Sequence, residues 1–174
     1  LNFQTIVPKK SISLFVKNIW VSENETNGIQ TSLPFFADGF PGLMLQQSES
    51  GLVVNPHSKT MPQIFLYGQT IRPIELEVSG KYLIIIFQLY PFVLRSFFNV
   101  NPEGINDDCF YFRDSDNNIG RLKHQLSLCK TIDEKIGSIS ELLLTYFETK
   151  KLELDFEIRR AVECMIVTKG QQSI

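Results

Sequence analysis

The residues that could do chemistry are few and scattered. The two histidines are far apart, His57 in a loop between β-type segments and His124 in a helical stretch. Zinc, iron or manganese centres need three or four converging ligands, so two isolated imidazoles argue against a metal enzyme. Asp114, Asp116 and Asn118 alternate as the first ligands of a calcium loop would. The glycine wanted at the sixth position falls at the seventh, Gly120, and the twelfth is Gln125 instead of a bidentate glutamate. A solvated loop leading into a helix is the better reading. Glu75 and Glu77 share one face of a strand and could pair as acid and base, but on an edge strand two carboxylates more often form a wet face that discourages aggregation. Cys109, Cys129 and Cys164 are an odd set with no C-x-x-C spacing, which argues against a disulfide framework or a zinc knuckle. No serine elbow, P-loop or dinucleotide fingerprint is present. The expectation is no catalytic residue, no metal, no cofactor and no enzyme.

Aromatic side chains are the remaining signal. Phe35, Phe36, Phe40, Phe65, Tyr67, Phe87, Tyr90 and Phe92 cluster around the β-type segments, with Gln46, Gln69 and Gln88 among them. An apolar cavity with a few polar tips is the pattern of a small-molecule site, although the same rings can also fill a small barrel as plain core. The candidate pocket is Phe36, Phe40, Met44, Gln46, Phe65, Gln69 and Phe87.

The elements that must position these residues divide by the period of the apolar side chains. Between Leu14 and Gln88 the segments are short and rich in β-branched and aromatic residues: 14–21, 42–45, 61–66, 71–78 and 82–88. Turn residues separate them, and Ser79 with Gly80 suggests a tight hairpin. Pro73 suggests that 71–78 is an edge strand with one wet face. Tyr82 to Phe87 is apolar throughout, as a strand buried on both faces of a barrel or sandwich would be.

After about residue 90 the period becomes helical. Leu122, Leu126 and Cys129 mark one helix; Ile132, Ile136, Ile139, Leu143, Tyr146 and Phe147 mark a second; Leu154, Ile158, Ala161, Val162 and Met165 mark a third, stopped by Gly170. Thr131 and Glu134 make a capping-box pair, which starts the second helix at Ile132. Gly137 within it marks either a close contact or a weak turn. The apolar stripe Ile136, Ile139, Leu143 and Phe147 is the candidate dimerisation face.

A chain of 174 residues with 43% apolar side chains and 14 phenylalanines suits one domain, or a compact domain with a helical appendage. Its longest apolar run, Tyr82 to Phe87, is far too short for a membrane span, and no basic-then-apolar leader opens it. A cytoplasmic protein without membrane contact is expected. Residues 1–120 carry eight basic against eleven acidic side chains, and residues 121–174 nine against eight. Such a distribution has no basic face with which to displace counterions from DNA.

Three segments carry a resemblance: Phe35-Phe36-Ala37-Asp38-Gly39-Phe40-Pro41-Gly42-Leu43-Met44, Phe65-Leu66-Tyr67-Gly68-Gln69-Thr70, and Phe87-Gln88-Leu89-Tyr90-Pro91. With the stretch from Leu94 to Asp108, they resemble the N-terminal sensing domain of AraC-type transcriptional regulators, especially those of Bacteroidetes. Residues 161–166 and 170–174 resemble the helix and glycine turn that lead into that family's first helix-turn-helix, so the chain reads as a fragment ending before its DNA-binding part. The resemblance implies an α+β fold: a cupin-like β-barrel of the double-stranded β-helix type, followed by a C-terminal helical segment. Residues 1–100 would form the barrel and sense an unknown small-molecule effector. Residues 101–174 would dimerise and link to the helix-turn-helix domain, through which alone the homodimer would touch DNA. The alternatives are a closed barrel that only dimerises and a metal-free cupin enzyme.

Overall fold

Among the described residues the elements run β1 (Gln4–Ile6), β2 (Val16–Asn24), β3 (Gln30–Phe35), β4 (Gly42–Ser48), β5 (Leu52–Asn55), β6 (Lys59–Met61), β7 (Ile64–Tyr67), β8 (Ile74–Ser79), β9 (Tyr82–Leu89), α1 (Phe92–Phe98), β10 (Cys109–Phe110), α2 (Asn117–Leu128) and α3 (Ile132–Lys151). This computed structural model describes residues 3–35, 39–56, 58–70, 72–113 and 117–151, and in addition 160, 161, 164, 165, 167 and 168, all six in helical backbone. The third expected helix is therefore described only in part: Leu154, Ile158, Val162 and Gly170 lie outside the described residues, as do His57, Asp114 and Asp116.

All strand pairings are antiparallel. Six strands form a larger sheet in the order β1-β2-β9-β4-β7-β10, and four form a smaller one in the order β3-β8-β5-β6. The pairs nest along the chain: β5 with β6, β4 with β7, β3 with β8 and β2 with β9. Successive shells of this nest alternate between the sheets, so the chain behaves as one long folded-back ribbon rolled into two layers. The ladder stays open as two sheets and does not close into a barrel.

Strand alternation then sends neighbouring side chains to opposite layers. Met44, Phe65, Ile84 and Ile86 of the larger sheet face the smaller one and pack with Leu33, Leu52, Val54, Met61, Leu76 and Val78. Leu43, Leu45, Ile64, Leu66, Ile85, Phe87 and Leu89 face the other way and pack with the helices. The larger sheet is thus covered on both sides, which is why β9 is apolar at every position from Tyr82 to Phe87.

The helical layer is held by aromatic contacts. Phe147 of α3 lies 4.3 Å from Phe15 and 4.8 Å from Phe97, with edge-on or tilted rings. Ile136, Ile139, Leu143 and Phe147 are all buried in this layer. This corrects the reading of that stripe as a dimerisation face: the helical period marks a core face, and here the core belongs to the chain itself. The expected boundary near residue 100 falls inside the same continuous core, since α3 packs on residues as early as Ile12 and Phe15.

The second helix starts at Ile132 as its capping box predicts. The Glu134 amide donates to Thr131 Oγ1 at 3.2 Å, and the Glu134 carboxylate accepts from the amides of Thr131 at 3.1 Å and Lys130 at 2.6 Å. Those amides hold the Glu134 carboxyl below its usual range. Nothing lies within 4 Å of where a β-carbon on Gly137 would sit, so that glycine weakens its turn and makes no close contact.

Three strand readings change. The Ser79-Gly80 turn joins no hairpin, because β8 and β9 lie in different sheets. It is a corner, tied by the Ser79 amide to Ser50 Oγ at 3.0 Å and by the Gly80 amide to the Ile29 carbonyl at 3.0 Å. Residues 61–66 likewise split at Pro62 into β6 and β7, one in each sheet. Pro73 precedes β8, an interior strand, and the edge-strand proline is Pro34 in β3.

Candidate functional site

The segments 39–44, 65–70 and 87–91 converge at one end of the two-sheet body. Gly42 pairs with both Gln88 and Tyr67 across the ladder, and the Leu89 amide donates to the Pro41 carbonyl at 2.8 Å. Gly42 is required here: a β-carbon would run into the Tyr67 ring at 2.5 to 2.6 Å. Gln69 Nε2 donates to the Gly39 carbonyl at 2.6 Å, fastening the loop before β4 to the loop after β7. The half-buried Phe40 ring has the Lys17 ammonium 3.6 Å above its centre and Tyr90 6.1 Å away edge-on.

A strap formed by residues 105–109 closes one side of this end. The Gly68 amide donates to the Asp108 carbonyl at 3.1 Å and the Asp107 amide to the Gln69 carbonyl at 3.0 Å. Asp107, at φ 54°, uses its carboxylate to accept from the Arg72 amide at 3.0 Å. Asp108 pairs with Lys59 at 2.7 Å and raises that amine's pKa. Beside it, burial first and the Asp108 charge second push the Cys109 thiol up to about 12. Burial of this kind disfavours the thiolate, the form in which a cysteine acts as a nucleophile.

Inside this end, Gln88 is almost wholly buried and its Oε1 accepts from Asn18 Nδ2 at 2.9 Å. Thr70, the residue after Gln69, is buried as well. Gln88 was not among the candidate pocket residues. Alternation from Ile84 through Ile86 was the signal that would have placed it on the inward face in preference to Phe87.

The seven candidate pocket residues do not converge. Phe40 and Gln69 lie at the end just described. Met44 and Phe65 fill the layer between the sheets, exposed by 2% and 1%. Gln46 lies towards the opposite end, where its Nε2 donates to the Met61 carbonyl at 3.1 Å and its Oε1 accepts from Ser48 Oγ at 3.0 Å. Phe87 is on the helix side of the sheet, and Phe36 lies outside the described residues. Among the described residues no three His, Cys, Asp or Glu side chains gather as metal ligands would. His124 is exposed on α2.

Two facing antiparallel sheets with helices against the larger one define an α+β domain. Over residues 4–111 the chain matches the family described as "Domain of unknown function (DUF6597)", and it belongs to that family. The match takes in all ten strands and α1, while α2 and α3 lie beyond it. No curated protein and no solved structure matches the chain. No helix among the described residues is long and apolar enough to cross a membrane.

Proposed function

We propose that this chain is the regulatory N-terminal domain of an AraC-type transcription factor. It has a cupin-like body and helices that dimerise and connect to a C-terminal DNA-binding domain. The observation that carries the reading is the nesting of β2 to β9. Its two sheets, β2-β9-β4-β7 and β3-β8-β5-β6, have the strand order of a double-sheet jelly roll, the architecture to which cupins belong. The resemblance segments meeting at one end of that body add to it, because a shared end is where a small effector would enter. Binding there would favour one arrangement of the helices, and so one spacing of two DNA-binding domains on their half-sites. The protein would act in the cytoplasm as a homodimer.

The coding sequence downstream of Ile174 tests this reading. Two helix-turn-helix patterns are expected; a stop codon or an unrelated domain there overturns it.

A second reading is favoured by the interior. Met44, Phe65, Leu76 and Ile86 occupy the space between the sheets with almost no exposure, as they would in a scaffold that dimerises without a ligand. Light scattering of the purified chain tests it: a monomer at high concentration overturns the scaffold.

A further inference from the structure

At one flank of the molecule the edges of the two sheets are held together by side chains. β6 ends the smaller sheet and β10 ends the larger one, and among the described residues no strand pairing joins the two. Across this seam the Lys59 ammonium pairs with the Asp108 carboxylate at 2.7 Å and lies 4.8 Å from the centre of the Tyr111 ring. The Tyr111 hydroxyl donates to Met61 Sδ at 3.9 Å. Lys59 and Met61 belong to β6, whereas Asp108 and Tyr111 flank β10 on either side.

Behind the seam lies the layer between the sheets. Met61 is buried in it, and Cys109, next to Asp108 in the chain, packs against it. Phe110 packs on the helix side instead, as strand alternation requires. The seam is lightly built. β6 pairs with β5 at three positions and β10 with β7 at two. The Lys59 and Asp108 side chains are 38% and 54% exposed, so water screens their attraction. An ammonium beside an exposed ring adds only a modest further contact. Segments with few backbone bonds and weak contacts open locally before the whole domain unfolds.

We propose that this flank is a side gate into the layer between the sheets, with Lys59, Asp108 and Tyr111 as its latch. On release, β6 and the 105–109 strap part while the pairs β4 with β7, β3 with β8 and β2 with β9 stay intact. Opening uncovers Met61 and the Cys109 thiol. The strap also joins the gate to the end where segments 39–44, 65–70 and 87–91 meet. The Asp108 carboxylate belongs to the latch, while its carbonyl accepts from the Gly68 amide at 3.1 Å. A molecule bound at that end would therefore shift the latch through the strap. Only this consequence rests on the regulatory reading; the gate stands on the seam alone.

Thiol labelling of the 174-residue chain tests the gate, with Cys129→Ser and Cys164→Ser leaving Cys109 as its one thiol. The probe is the uncharged disulfide dithiodipyridine: the Cys109 thiolate attacks one sulfur, a mixed disulfide forms, and one thiopyridone leaves and is read by its absorbance. Labelling is expected to be slower than that of an unstructured cysteine peptide. Its urea slope should lie well below that of global unfolding followed by circular dichroism, as local opening requires. Lys59→Met should speed labelling about fivefold by removing both latch contacts of the ammonium. Reaction through a closed seam has the opposite sign, because the Lys59 charge lowers the thiol's pKa and its loss leaves less thiolate. Labelling as fast as the peptide's, a urea slope equal to that of global unfolding, or labelling unchanged or slower in Lys59→Met would each overturn the proposal. Any of these results with helix-turn-helix motifs downstream of Ile174 would keep the regulatory reading without the gate; gated labelling without such motifs would do the reverse.

Discussion

The larger sheet is buried on both faces, and its two covers are unlike. Towards the smaller sheet it meets aliphatic and methionine side chains: Leu33, Leu52, Val54, Met61, Leu76 and Val78 against Met44, Ile84 and Ile86. Towards the helices it meets interlocked rings, with Phe15, Phe97 and Phe147 mutually within 5.0 Å. The first layer joins strands already tied by the nested ladder. The second has no ladder and depends on side chains to bind helices near the C-terminal end to residues near the beginning. The helices are therefore half of the core, and disturbing them should be felt by the strands.

Phe147→Ala is the strongest way to break that equivalence. Removing a fully buried ring should cost about 3–5 kcal/mol, and Phe65→Ala in the other layer should cost a similar amount. In urea, helical circular dichroism and Trp20 fluorescence should shift together in both variants. A Phe147→Ala protein whose helical signal melts first while the Trp20 transition stays in place would show two separable units. Gly68→Ala comes next, at about 1–3 kcal/mol, because its β-carbon would collide with the Ile105 carbonyl under the strap. The midpoint of a urea titration reads this directly.

Thr131→Ala should cost about 1 kcal/mol by removing the cap of α3. The Glu134 half of that box adds a pH dependence. Its folded pKa lies below the unfolded one, so its contribution is present in full above the unfolded value, near 4.3, and is lost as pH falls through the depressed folded value. Glu134→Gln should flatten the acid limb of the stability curve, and an unchanged limb would remove the box from the account. The smallest effect is a gain: Gly137→Ala should raise stability by at most about 1 kcal/mol, since the added methyl meets open space. A loss instead would mean that the open side of α3 is occupied in solution.

Much of this framework was legible because local chemistry decides it. The change of period near residue 90, the start of α3 at its capping box and the double burial of β9 depend on neighbouring residues alone. The corners at Pro62 and Gly80 were not legible, because a turn between two strands has the same residues whether the second strand stays in its sheet or crosses to the next. β3, written Gln30-Thr31-Ser32-Leu33-Pro34-Phe35, and the seven-residue α1, which has no side-chain cap, carry little periodic signal of their own. The site was read least well for a related reason. Aromatic content cannot say which face of a strand apolar on both sides looks towards which layer, so Phe87 is grouped with Met44 and Phe65 although it packs on the helix side. The stripe on α3 was mistaken for an interface because a helix buries its apolar face equally well against its own sheet or a second subunit.

The nested pairing also bears on how the chain finds its fold. β5 and β6 are separated only by residues 56–58, so the first shell closes a very short loop. With that shell formed, β4 and β7 are already drawn together, then β3 and β8, and last β2 and β9. Joining Asn24 to Tyr82 directly would require closing the whole intervening chain, whereas in this sequence of events each closure spans only a few newly ordered residues. Contacts that are distant along the chain can thus form by zipping outward from the innermost turn, which removes much of the kinetic penalty that long-range strand pairing otherwise carries.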